Sequence, residues 1–143
     1  MSATGSNVAA GAAPQVEVGH KLPELKLYGD PTFIVSTAIA TRDYQDVHHD
    51  RDKAHAKGSK DIFVNILTDT GLVQRYITDW AGPNAVIKSI GLRLGVPWYA
   101  YDTVAFNGEV TAIDGELVSL KVVGSNSLGD HVIATATLTI GGV

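Results

Sequence analysis

The stretch DIFVNILTDTGLVQRYITDWAG, residues 61–82, limits the possible folds more than any other part of the chain. Ile62, Ile66, Val73, Ile77 and Trp80 recur at helical spacing. Phe63, Leu67, Leu72 and Tyr76 place apolar side chains on further faces, so the helix is expected to be wrapped by other elements rather than laid on a surface. Ser59 and Asp61 stand where N-cap residues belong, and Gly82-Pro83 is a stop signal. Everything after it reads as β. AVIKSIGLRLGVPWY, DTVAFNGEVTAI, LVSLKVVGSNS and HVIATATLTI read as four strands, with turn residues at Tyr101-Asp102, Asp114-Gly115 and Leu128-Gly129-Asp130. Pro97 cannot donate to a ladder, so the first of these is expected to bend there. Upstream, TFIVSTAIA (Thr32–Ala40) is β-branched and alternating, and reads as an opening strand. A strand, a polar loop, a long helix and four antiparallel strands together imply an α+β fold, a strongly curved antiparallel sheet around one helix.

At 143 residues the chain is the size of one domain. We expect a flexible small-residue leader over residues 1–21, without the basic start of a signal peptide, and an ordered domain over 22–143. A net charge of −4 speaks against general nucleic-acid binding. The chain has no cysteine, which removes disulfides, thiolate catalysis and Cys-based zinc sites. No apolar run reaches the ~18 residues of a membrane span, and a cytoplasmic protein is expected.

The most unusual stretch is RDYQDVHHDRDKAHAKG, residues 42–58, which holds four aspartates and three of the five histidines. His48, Asp52 and His55 lie at spacings a helix could bring to one face, but no fourth ligand is suggested and we expect no metal. The pattern alone leaves two readings of Asp43 and His48 open: a carboxylate–imidazole acid–base pair, or a polar loop capping the helix. Asp50 suits ordering the loop, and His49 and His55 are expected in solvent. Trp98, Tyr99 and Phe106 are read as core or interface, Lys88 and Arg93 as surface charges, and VGSNSLGD as a hairpin turn.

This order of elements, with that loop in second place, resembles the hot-dog fold of the MaoC-like (R)-specific enoyl-CoA hydratases. Their signature runs Asp-x-Asn-Pro-aliphatic-His-x-(Asp/Asn)-x-x-x-Ala. Asp43, Val47, His48, Asp50 and Ala54 fall on it, with Gln45 and Asp46 in place of Asn and Pro. In LRLGVPWYAYDTV, Pro97, Asp102, Thr103 and Val104 match the family, while Tyr101 replaces its usual glycine. The resemblance covers roughly residues 24–140. More narrowly, the segments around residues 22–54 and 59–83 are similar to small subunits of heteromeric hydratases acting on steroid side-chain CoA thioesters in cholesterol catabolism.

The resemblance implies Asp43 and His48 as the catalytic pair acting on one water, and the backbone N–H of Asn65 as an oxyanion-hole donor. It implies Asp50 as a loop brace, no cofactor beyond the CoA carried by the substrate, and a second MaoC-like subunit lacking the pair, in an α2β2 heterotetramer. Two other readings compete. A thioesterase-like hot dog usually carries its carboxylate on the helix, where Asp61 and Asp69 are the candidates. A structural subunit would need neither Asp43 nor His48.

Overall fold

The computed structural model describes residues 16–141. Of the expected leader, residues 1–15 lie outside them. Its last residues run beside the sheet, with Gly19 N–H donating to Val110 C=O (2.8 Å) and Leu22 N–H, just beyond, to Gly108 C=O (2.9 Å).

The described elements are β1 (Leu25–Gly29), α1 (Pro31–Ala40), a 3₁₀ turn (Asp46–His48), α2 (Arg51–Ala56), α3 (Ile66–Ala81), β2 (Val86–Leu94), β3 (Asp102–Asp114), β4 (Leu117–Asn126) and β5 (Gly129–Thr139). The strands form one five-stranded sheet in the order β1-β3-β4-β5-β2, antiparallel throughout. Register shifts at Ile87/Ser89, Val110/Ala112 and Gly124/Ser125 interrupt the ladders, the kind of irregularity that bends a strand.

The four strands read after the helix all occur, but the first ends at Leu94, short of its expected reach to Tyr99. The opening strand does not occur: Thr32–Ala40 is helical. Asp30 accepts the Phe33 N–H at 2.8 Å and Pro31 occupies the first turn, a cap-and-proline start that outweighs the β-branched alternation behind it. Ile34 and Ala38, four apart, are its buried residues. The true first strand is the shorter LKLYG, paired to β3.

The long helix also differs in detail. It begins at Ile66 behind Asn65, four residues beyond the expected Asp61 cap. Asp61 instead holds Arg51 in a two-pronged pair at 2.9 and 3.1 Å. The helix ends at Gly82, whose φ of +90° suits glycine. Its buried residues Asp69, Val73, Ile77 and Ala81 form one stripe, joined by Tyr76, whose ring lies 6.2 Å from that of Phe106. Ile66 and Leu67 are exposed, so within this chain the helix is covered on one side, not wrapped. The sheet face beneath alternates in register: Val104, Phe106 and Val110 on β3, Leu120 and Val122 on β4, Ala134, Ala136 and Leu138 on β5.

Pro97 and Trp98 lie in the connection after β2, not within a strand. Trp98 is fully buried and donates its indole N–H to Asp102 C=O at 3.0 Å. The connection is stitched to β5 by Gly95 N–H to His131 C=O (2.8 Å) and Val96 N–H to Asp130 C=O (3.0 Å). A Cβ on Gly95 would collide with the Asp130 carbonyl oxygen, a backbone atom that cannot swing aside. Gly95→Ala is expected to destabilise by about 1–3 kcal/mol, read as a lowered denaturation midpoint.

Candidate active site

The loop between α1 and α2 is held from both ends. α1 stops at Thr41, and Arg42 turns the chain through a left-handed conformation (φ +57°) that non-glycine residues seldom adopt. Asp43 N–H then donates to Ala38 C=O at 2.9 Å, and its own C=O accepts from His49 Nε2 at 2.7 Å. His49 is therefore a half-buried brace for Asp43, contrary to the solvent-exposed reading. Asp50 stands at the N-cap of α2 and accepts the Lys53 N–H at 3.1 Å. Ala54 is fully buried beneath this loop.

His48 turns inward on the 3₁₀ turn. Its Nδ1 lies 2.7 Å from Phe63 C=O, and its ring meets the Phe63 ring edge-on at 4.8 Å. A carbonyl only accepts, so Nδ1 carries a proton and Nε2 is the ring nitrogen left to meet another partner. That Nε2 faces Asp43 Oδ2 at 3.5 Å, beyond the usual length of a direct hydrogen bond. Asp43 Oδ1 accepts the Gln45 N–H at 3.2 Å. The structure thus brings together Asp43 and His48, with polar edges that one small molecule could bridge.

Asn65 completes the group. Its side chain is buried, and its Nδ2 donates to Asp43 Oδ2 at 3.2 Å and to Thr41 Oγ1 at 2.9 Å. Thr68 donates its hydroxyl to Asn65 Oδ1. The Asn65 side chain makes no capping bond to its own helix, so the first N–H groups of α3 are left pointing from its positive end. Thr41 and Thr68 were not legible as members of the site. The only hint was the Asn-x-x-Thr spacing at a helix start.

The candidate metal set does not assemble. His55 donates from Nε2 to Lys60 C=O at 2.8 Å, Asp52 is exposed, and His48 points the other way. Among the described residues no group of three or more His, Asp or Glu converges on a point. The helix carboxylates of the thioesterase-like reading are both engaged: Asp61 precedes the helix and holds Arg51, and Asp69 is buried against His131, its oxygens 2.8 and 2.9 Å from Nε2. No helix among the described residues is long and apolar enough to cross a membrane.

No family model matches the chain. A curated relative, the 3-oxo-4,17-pregnadiene-20-carboxyl-CoA hydratase beta subunit of Mycobacterium tuberculosis, is 80% identical over 123 residues, 86% of this chain and 95% of its own. The crystal structure of the ChsH1-ChsH2 complex from the same organism holds a chain 78% identical to this one. It superposes with a TM-score of 0.86 over 87% of this chain and 98% of that chain. The chain belongs to the MaoC-like hot-dog hydratases. The fold extends to distant members: an (R)-hydratase from A. caviae involved in PHA biosynthesis superposes with a TM-score of 0.82 at 20% identity, covering 90% of this chain and all of the other (100%).

This MaoC-like hydratase departs from the family pattern at Tyr101, which stands in place of a glycine. Tyr101 keeps a glycine-like φ of +72°, and its N–H donates to Gly29 C=O at 2.7 Å. The strained conformation persists because the β1 end is tied to it.

Proposed function

We propose that this chain is the catalytic subunit of an enoyl-CoA hydratase acting on a steroid side-chain CoA thioester, in which Asp43 and His48 work on a single water. The observation that carries the reading is the 3.5 Å approach of His48 Nε2 to Asp43 Oδ2, with Nδ1 committed to Phe63 C=O. A water touching both groups gives up a proton as its oxygen bonds to the β-carbon. The π-electrons move to the thioester oxygen, and a proton returned to the α-carbon completes the addition. Asp43 is the base in this scheme, and His48 orients the water and shares in proton delivery. The enolate oxygen needs N–H donors, and the start of α3, at the backbone of Asn65, lies beside the pair. The chemistry needs no metal or cofactor; the CoA belongs to the substrate.

The identity to the pregnadiene-carboxyl-CoA hydratase subunit supports the steroid substrate. The ChsH1-ChsH2 complex supports a second hot-dog subunit as partner, here assigned an α2β2 arrangement in the cytoplasm with the partner making room for the steroid rings. β1 and β2 are the edges of the sheet, and the exposed Ile66 and Leu67 on the open side of α3 fit burial against another subunit. The test is a hydration assay with a steroid 2-enoyl-CoA and with a short straight-chain enoyl-CoA, each with and without the partner. The steroid thioester is expected to turn over only in the complex. Equal rates on both substrates without the partner would refute the assignment.

A further inference from the structure

We propose that Asn65 is a positioning residue whose side-chain amide, locked by Thr41 and Thr68, holds the Asp43 carboxylate in its working orientation. The directions of the bonds decide this. Thr41 places its hydroxyl within reach of two carbonyls of its own helix, Thr37 C=O at 2.9 Å and Ala38 C=O at 3.0 Å, so its proton is spent there and its oxygen can only accept from Asn65 Nδ2. On the other side, the Thr68 hydroxyl donates to Asn65 Oδ1. Both ends of the amide are therefore specified, and its remaining N–H is aimed at Asp43 Oδ2.

Flipping the amide would set its oxygen against the Thr41 oxygen and the carboxylate, two repulsive contacts in a buried site. Asn65 and Thr68 are 2% and 5% exposed, so solvent gives the amide itself little relief from such a mismatch. Helix capping does not account for the arrangement, because the Asn65 side chain makes no bond to the N–H groups of α3. What the amide does is tie the start of α3 to the oxygen of Asp43 that faces His48, fixing the two halves of the acid–base pair to one scaffold. The inference rests on the hydratase reading, since it concerns the residue that reading makes the base.

The test uses the intact heteromeric complex and the steroid enoyl-CoA. Asn65→Asp keeps the shape but replaces the donor with an acceptor facing a carboxylate. It is expected to lower kcat about 10- to 100-fold with little change in KM, the size of a lost hydrogen bond to a charged group. Thr68→Val, which frees the amide to rotate, lowers kcat about 3- to 10-fold, and Thr68→Ser restores it. If Thr68 acts through Asn65, the Asn65→Ala/Thr68→Val double variant is no slower than Asn65→Ala alone, whereas independent structural roles multiply. Wild-type kcat in Asn65→Asp, multiplying effects in the double variant, or failure of Thr68→Ser to restore what Thr68→Val loses overturns the proposal. Should Asn65 variants fail to fold, the Thr68 pair decides it alone. Turnover retained in both Asp43→Asn and His48→Ala would instead sink the reading of this chain as the catalytic subunit.

Discussion

Asp43→Asn and His48→Ala are each expected to lower hydration of the enoyl thioester by about 10²- to 10⁴-fold, the range lost with a positioned acid–base group. The two act on one water, so the double variant should be scarcely slower than either single one. Both proteins should still assemble with the partner. Asp43→Asn keeps the shape of the carboxylate, and the Oδ1 bond to Gln45 N–H lies at the exposed side of the loop. His48→Ala empties a buried position and leaves Phe63 C=O without its donor, so this variant is expected to melt at a lower temperature, and Asp43→Asn is the cleaner probe. Retained turnover in both variants would mean that the partner holds the chemistry and that this chain is structural. Chelator should leave the wild-type rate unchanged.

His131→Leu is expected to cause a large loss of stability. His131 and Asp69 are both fully buried, 62 residues apart in sequence, and join β5 to the first turn of α3. His131 Nδ1 is 2.7 Å from Val96 C=O, so that nitrogen bears hydrogen. Its Nε2 lies within 2.9 Å of both Asp69 oxygens, a contact that requires one further proton on the pair. Burial works against the imidazolium, but the hydrogen bond and negative charge of Asp69 outweigh it and hold His131 above its ordinary value of 6.5. Burial likewise pushes Asp69 up, against the pull of His131, so both partners favour keeping the shared proton.

Removing the imidazole strands a carboxylate in the core, which costs about 3–5 kcal/mol. The expected melting temperature falls by roughly 10 °C or more. Asp69→Asn should cost clearly less, because an amide can donate to the neutral Nε2. The folded state binds the proton more tightly than the unfolded chain, so this contribution is complete below pH 6.5 and is lost as pH rises through the raised value of His131. Wild-type stability should decline from neutral toward alkaline pH, and Asp69→Asn should flatten that slope. An unchanged slope in Asp69→Asn, or a His131→Leu protein as stable as the wild type, would contradict the assignment.

Much of the fold was legible because it is written locally. The alternation of β3, β4 and β5 and the turns between them depend on neighbours two to four residues away, and the strands stand where that pattern put them. The hydratase signature in residues 43–54 is likewise a short local string, and it pointed to Asp43 and His48 with no knowledge of the fold. Where two local signals competed, the weaker one misled. The alternation in TFIVSTAIA concealed a helix already announced by Asp30-Pro31, and the expected Asp61 cap was in fact an Arg51 partner.

Other features belong to no local pattern. His49 as a brace for Asp43, Thr41 and Thr68 on either side of Asn65, and the Asp69–His131 pair all depend on where distant segments meet. A histidine heading an apolar strand looks the same in sequence whether it faces solvent or a buried carboxylate. By itself the sequence determined one long helix, four following strands and an Asp43–His48 spacing suited to acid–base work. Only the tertiary structure decided how the histidine protons are placed and which amide holds the carboxylate. A hydrogen bond is set by distances of a few ångströms between atoms, and packing, not sequence separation, establishes those distances.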